Sequence, residues 1–383
     1  MKRFKNAIFV TFLFLALATI LLYAFDFDYI FKGIRTTFLE GHTSAYINDY
    51  TEFDNRVIET GEPQPWPLHQ EYNKIKPTRG LLKINDELNT VAFLIIKNDS
   101  IWFENYSEAY GKDSKTNSFS MAKSIVAALL GRAIMEGHIK SLQQPVADFF
   151  PQFDPALTVG DLASMASGLN WEESYTNPFS MTIRAYLDDN LRKQILALEV
   201  EKPPGKRFEY LSGNTILLGM VIEKAAGKTL SEYLSEEFWT PLGMDGDALW
   251  QLDSQESGME KAFCCIASSA RNFARFGKLY KNYGEWDGEQ LLDSSFVAKS
   301  IRPRFKESPY YGYGFWLENY KDKEIFYMRG ILGQYVIVLP EDDLIIVRLG
   351  EENGKKLRDE EYRLSHDFYT YLEEAYEMLG KKL

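Results

Sequence analysis

The sequence predicts an α+β protein: a mainly antiparallel sheet flanked by helices in an α/β sandwich, interrupted by a large all-helical insertion and preceded by one membrane-spanning helix. Three observations carry this. Strand patterns occur towards both ends of the chain, helical periodicity fills its middle, and an uncharged apolar run of 19 residues stands near the start. At 383 residues the chain is long enough for roughly two or three structural units.

The elements follow in order. Lys2, Arg3 and Lys5 precede the apolar run over residues 7–25. A basic flank before a run of this length predicts a cytoplasmic tail (1–6) and a single-pass anchor (7–25) in a bacterial cytoplasmic (inner) membrane, with the rest of the chain on the periplasmic, extracytoplasmic side. A cleavable signal peptide is the competing reading, because Ala16-Leu17-Ala18 has the small-x-small form; the apolar run continues past it to Phe25, which favours the anchor. Residues 26–80 are polar and irregular, with Pro63, Pro65 and Pro67 around Trp66, and read as a stalk and N-terminal extension. A hairpin follows: residues 90–97 are β-branched and apolar, Asn98-Asp99 supplies the turn, and residues 100–106 alternate. From 120 to 303 the pattern is helical, clearest over 121–136, 212–226 and 268–283, each ended by a glycine (Gly137, Gly227, Gly284), and no strand is expected there. Strand patterns return at 312–317, 325–328, 334–339 and 344–349, and an amphipathic helix over 363–379 closes the chain. The expected organisation is a discontinuous α/β domain (81–119 and 304–383) with a helical domain (120–303) set into it, and a site in the crevice between them.

A net charge of −12 argues against nucleic acid as a partner, because phosphate recognition needs clustered Lys and Arg. The two cysteines, Cys264 and Cys265, are adjacent and are expected as buried small hydrophobes rather than a bridge. His42, His69, His138 and His366 are scattered without zinc-site spacing, so no metal and no other cofactor is expected.

Ser120 and Lys123 open the first strong helix. Residues three apart lie on one helix face, so hydroxyl and amine can meet. At a helix N-terminus the dipole disfavours an ammonium and favours a developing oxyanion, and burial lowers a lysine pKa further. Lys123 is then a candidate base and Ser120 a candidate nucleophile, against the plainer reading of Ser120 as a helix cap. Tyr210, on the loop before the helix at 212–226, is the candidate proton carrier.

With these residues in place the chain resembles the serine β-lactamase and penicillin-binding-protein superfamily, in particular its β-lactamase-related esterase and 6-aminohexanoate-dimer hydrolase branch. The likeness covers roughly residues 90–349 and rests on ordered stretches: Ser120-Met121-Ala122-Lys123-Ser124, Thr158-Val159-Gly160-Asp161-Leu162 with Ser167-Gly168-Leu169, the Tyr210 segment, residues 267–277, and Gly330-Ile331-Leu332-Gly333-Gln334. It implies a β-lactamase/transpeptidase-like fold and Ser120, Lys123 and Tyr210 as the catalytic set. Where the family carries Lys-Thr-Gly or His-x-Gly on the edge strand, this sequence has Met328-Arg329-Gly330, which removes the usual carboxylate anchor and favours esters or uncharged amides. Strand alternation turns Arg329 away from Met328. Gly330 allows close backbone approach, and the N–H groups of Ile331 and Ser120 are the expected oxyanion hole. Trp171, Glu172 and Tyr175 are expected on a loop over the cleft, where Trp171 and Tyr175 are candidate substrate contacts. Ser212, preferred over Asn214, is expected to orient Lys123 or the substrate.

The sequence therefore points to a membrane-anchored serine hydrolase acting on a small-molecule or peptide-like ester or amide. A D-alanyl-D-alanine carboxypeptidase or β-lactamase, and a catalytically silent binding or sensor module, are the alternatives.

Overall fold

The structure is a computed structural model that describes residues 2–356 and 364–383. Helix α1 (Lys2–Ala24) contains one span, Arg3–Ala24, long and apolar enough to cross a membrane, and none of that span is buried against the protein. After it come α2 (Tyr29–Gly33), β1 (Asn55–Ile58), α3 (Arg79–Glu87), β2 (Thr90–Lys97), β3 (Ser100–Tyr106) and β4 (Thr116–Asn117). The middle of the chain supplies α4 (Ala122–Met135), α5 (Ser212–Ala226), β5 (Ala248–Gln251), β6 (Ile266–Ser268) and α6 (Ala270–Lys281), with shorter helices between. The C-terminal part gives β7 (Trp316–Tyr320), β8 (Lys323–Gly330), β9 (Gln334–Leu339), β10 (Leu344–Gly350) and α7 (His366–Met378). Residue 363, where the closing helix was expected to begin, lies outside the described residues.

The main sheet has the order β3-β2-β10-β9-β8-β7 and is antiparallel throughout. Strand alternation divides its side chains between two cores. Leu94, Ile96, Val336, Val338, Ile345 and Val347 face α6 and the helical layer. Phe93, Ile95, Ile337, Leu339 and Ile346 face α3 and α7, packed with Phe368, Tyr371 and Leu372. Helix α6 lies close to the sheet because residue 277 is glycine: a Cβ there would meet Val336 Cγ1 at 2.9 Å.

Three expectations are corrected. The middle section does contain strands: β5 and β6 join β1 and β4 in a small antiparallel sheet, order β1-β5-β6-β4. Strands of two to four residues are too short for a period-two pattern to show. The segment read as a stalk is built into the body: Ile47, Ile58 and Trp66 are buried in the main core, and Trp66 Nε1 donates to Arg271 O at 3.1 Å. Its prolines mark an extended strap, with Ile101 N donating to Pro67 O (2.8 Å) and His69 N to Ile101 O (3.0 Å) along β3. Cys264 and Cys265 are buried as expected but are joined to each other as a vicinal disulfide, with Cys265 in the left-handed region at φ 78°.

Candidate active site

Ser120 sits in a single 3₁₀ turn, Phe119–Met121, that leads into α4. The turn is held before the helix begins. Phe119 adopts φ 44°, a costly conformation for an aromatic residue, and its N–H donates to Asn117 Oδ1 at 2.8 Å. Ser118 N donates to Ile266 O (2.8 Å), and Ser118 Oγ accepts from Ile266 N (3.1 Å). Asn117 is fixed in turn by the buried Asp49, whose Oδ1 accepts from its Nδ2 at 2.9 Å. The helix cap reading of Ser120 does not apply, since α4 has no side-chain cap at its N-terminus.

Lys123, the second residue of α4, is 3% exposed and its Nζ lies 3.1 Å from Ser120 Oγ. Nζ also donates to Phe263 O at 2.8 Å, immediately before the vicinal disulfide. Burial pulls the Lys123 ammonium from its usual range down to about 8, against the charge of the Glu173 carboxylate, which holds it up. The neutral amine is thus accessible near physiological pH. With one N–H committed to Phe263 O, its lone pair can turn to the serine hydroxyl.

Tyr210 lies on the loop before α5, with its ring centroid 5.1 Å from Lys123 Nζ. The ring is wedged in an aromatic wall: Trp316 is 5.1 Å away and Tyr311 6.2 Å, and Phe208 packs on both of these. A cleft of about 810 Å³ opens beside Tyr210, lined by Trp171, Glu173, Phe208, Leu211, Phe305 and Tyr310 among others. The structure thus brings Ser120, Lys123 and Tyr210 together.

Among the expected cleft residues the pattern differs. Trp171, Tyr175 and Ser212 all converge on Glu173, a residue that sequence reasoning missed. Its carboxylate accepts from Trp171 Nε1 (2.8 Å), Tyr175 OH (2.6 Å), Ser212 Oγ (2.8 Å) and Ser212 N (2.7 Å). The last two bonds place an anion at the N-terminus of α5, where the helix dipole favours it. Ser212 is fully buried with its hydroxyl on Glu173; Trp171 lines the cleft but is 5% exposed with its Nε1 on Glu173, and Tyr175 is 47% exposed with its hydroxyl on the same carboxylate. Glu172 instead accepts from Asn177 Nδ2 (3.3 Å), and Asn214 Nδ2 contacts Met165 Sδ (3.4 Å).

Opposite the serine, β8 is an inner strand over its first half and open over its last three residues. β7 pairs with it from Lys323 to Tyr327, so Met328, Arg329 and Gly330 run on past the end of β7. Met328 is buried in the core, while Arg329 turns to the other face with its guanidinium 5.5 Å from the Trp316 ring centroid, as alternation predicts. Gly330 is required by contact: a Cβ would sit 2.4 Å from Ser118 O. The strand end therefore packs on the turn that carries Ser120, and Ile331 follows at 36% exposure. The turn after it contains Leu332 at φ 61° and Gly333 at φ 76°. Arg348, fully buried, holds that turn by donating Nη1 to Leu332 O (2.7 Å) and Gly333 O (2.9 Å), with Nε on Thr90 Oγ1 (3.1 Å) and Nη2 on Leu88 O (2.7 Å). Gln334 Nε2 adds a bond to Ile331 O at 3.2 Å.

An antiparallel sheet with a helical layer, and a serine in the turn that leads into a buried helix with a depressed lysine at that helix's start, are the features of a β-lactamase-like fold. The chain belongs to the Beta-lactamase family, whose model matches residues 79–369. The 6-aminohexanoate-dimer hydrolase of Paenarthrobacter ureafaciens is 24% identical over 238 residues, 58% of this chain and 60% of that enzyme. Protein flp of Staphylococcus aureus (strain COL) is 25% identical over 172 residues, 40% of this chain and 33% of that protein. The chain thus matches less than two thirds of the length of these relatives. Among solved structures, a Bacillus anthracis protein provisionally assigned as a 6-aminohexanoate-dimer hydrolase superposes with a TM-score of 0.74 at 20% identity, covering 88% of this chain and 94% of that one. A penicillin binding protein from Bacillus halodurans gives 0.61 at 17%, covering 78% and 99%. At such identities the structural likeness is one of fold.

Proposed function

We propose that this chain hydrolyses an ester or amide through an acyl-enzyme on Ser120. The observation that carries the reading is the buried Lys123 amine, 3.1 Å from Ser120 Oγ and drawn to about 8. Neutral Lys123 takes the hydroxyl proton as Ser120 Oγ attacks the carbonyl carbon. The resulting ammonium stays against the face of Tyr210, where a cation over an aromatic ring is stabilised. The N–H groups of Ser120 and Ile331 receive the oxyanion, Tyr210 passes a proton to the leaving group, and water releases the acyl group. Met328 in place of a cation on the strand beside the serine supports esters and uncharged amides over substrates anchored by a carboxylate. In the same reading α1 anchors the enzyme in a bacterial cytoplasmic membrane, with the body on the extracytoplasmic side.

Ser120→Ala is expected to abolish both burst labelling by a fluorophosphonate and turnover of a p-nitrophenyl ester. Turnover retained by the variant would sink the assignment. A panel of esters, amides, β-lactams and a D-alanyl dipeptide, run on wild type and Ser120→Ala, separates an esterase or amidase from a carboxypeptidase. Ligand binding with no adduct on Ser120 would favour a silent binding module.

A further inference from the structure

The segment joining α1 to the body has two unlike faces. It is helical from Tyr29 and continues through Ile34–Phe38 as a π-helical stretch. One face is fixed to the body. Tyr29 is buried with Phe53 and Leu187, and Gly33 lies so near Leu187 that a Cβ would meet its Cδ1 at 2.7 Å. Polar ties reinforce it: Tyr29 OH donates to Pro178 O (3.1 Å), Lys32 Nζ to Asp189 Oδ1 (2.6 Å) and Asp253 O (2.7 Å), and Lys193 pairs with Asp26 (3.0 Å). The other face is bare. Ile34 is 40% exposed, Phe38 60% and Leu39 73%, with Phe25 at 66% just before and Arg35 exposed between them.

A flexible tether explains exposed apolar side chains, but this segment is not a tether. Keeping them in water forfeits roughly 1.5–3 kcal/mol for each side chain that could be covered. The bare face also adjoins α1, whose span has no buried residue, and Tyr23 of α1 stacks on Phe31 at 5.8 Å. An apolar face with a basic residue among its members, continuous with a membrane span, has the make-up of an interfacial helix. Arg35 then lies where a guanidinium meets lipid phosphate.

We propose that residues 25–39 form a bilayer-docking face, which seats the body on the lipid surface with Phe25, Ile34, Phe38 and Leu39 at the headgroup–acyl boundary. The proposal rests on the reading of α1 as a membrane span. The seat continues to the candidate site. Phe179, 54% exposed, packs edge-on against Phe27 at 5.1 Å, and it belongs to the loop that carries Glu173 and Tyr175. That loop is compact, with Ser180 Oγ donating to Ser174 O at 2.7 Å. The rim of the cleft therefore rests beside the membrane, and the substrate class it suits is an amphiphile resident in the bilayer surface, whose ester or amide bond reaches Ser120 without leaving the interface.

The test uses the full-length chain in phosphatidylcholine vesicles with brominated acyl chains and a bimane label on single introduced cysteines, Cys264 and Cys265 being buried and bonded. Leu15→Cys reports the span, Phe38→Cys and Leu39→Cys the seat, and Lys83→Cys, on the helix covering the far face of the sheet, the remote control. Quenching of about half the emission or more at 15, 38 and 39, with none at 83, is the expected result. Quenching at 15 alone overturns the docking face while leaving the anchor standing. No quenching at 15 overturns the anchor reading and the docking face with it. An unquenched label at 38, together with an inter-chain disulfide formed by the unlabelled Phe38→Cys chain, gives the face to a second copy and also overturns the proposal. In the double variant Phe38→Asp/Leu39→Asp, turnover of a soluble short-chain p-nitrophenyl ester stays unchanged, while that of a long-chain ester embedded in the vesicles falls about tenfold or more. Equal turnover of the embedded ester by wild type and variant overturns the substrate class; no turnover of either ester by wild type is instead a failure of the hydrolase reading.

Discussion

The loop carrying Glu173, whose charge reaches Lys123, and the turn carrying Ile331, whose strand end packs on the serine turn, are each organised by one charged side chain, but of opposite sign and with different partners. Glu173 accepts four hydrogen bonds, three of them from side chains, so it gathers Trp171, Tyr175 and Ser212 into one cluster. Arg348 donates four, three of them to main-chain carbonyls, so it fixes the path of the backbone. The carboxylate is felt by Lys123 as charge; in the proposed mechanism the guanidinium acts only through the direction of the Ile331 N–H. One loop sets an ionisation and the other a geometry.

The sharpest break in this comparison is Arg348→Met. Four buried acceptors lose a charged donor, and unfolding free energy is expected to fall by on the order of 3 kcal/mol or more, read by denaturant titration. Because Arg348 bonds the turn in which Leu332 takes φ 61°, kcat is expected to fall by up to about 100-fold with little change in KM. An ester and its thionoester give the decisive readout: if the Ile331 N–H receives the oxyanion as proposed, loosening its turn narrows the difference between their rates, whereas a purely structural loss leaves the ratio alone. Gly330→Ala comes next. Its Cβ would press on Ser118 O, and because the strand end and the serine turn must part, a rate loss of about tenfold is expected for a stability cost near 1 kcal/mol. Loss of stability without loss of rate would show that the contact does not set the site.

Glu173→Gln should have the smallest effect on rate and the most specific effect on pH. In wild type kcat/KM is expected to rise through a limb near 8 as Lys123 loses its proton. The Glu173 charge raises that pKa, so removing it lowers the pKa and moves the limb to lower pH. A limb that stays in place, or moves up, would detach Glu173 from the ionisation of Lys123. The lost charge-assisted bonds should cost about 1.5–3 kcal/mol of stability.

Much of the frame was legible because it is local. The hairpin ends where expected, Asn98 and Asp99 both taking positive φ, and α5 runs over the predicted residues to Gly227 at φ 69°. Ser120, Lys123 and Tyr210 were legible as residue types in order, and the chain places them together. What could not be read depends on tertiary contact. Nothing in Trp171-Glu172-Glu173-Ser174-Tyr175 says which acid turns inward. Arg348, in a strand of Leu, Ile and Val, has partners as far away as Leu88 and Thr90. The span from 26 to 80 looks like a stalk because its few apolar anchors, Ile47, Ile58 and Trp66, are too widely spaced to form a pattern, though each is buried.

The proline-flanked strap along β3 has a consequence for solubility. β3 is the outermost strand of the main sheet, and an uncovered outer strand offers its N–H and C=O groups to any passing chain. The strap occupies part of that offer, taking Ile101 N on Pro67 O and donating His69 N to Ile101 O. Pro67 brings a carbonyl and no N–H to that edge, and further along Asn73 N donates to Trp102 O at 3.0 Å. That side of the sheet is therefore partly occupied by the chain's own backbone, which leaves less of it for a passing strand.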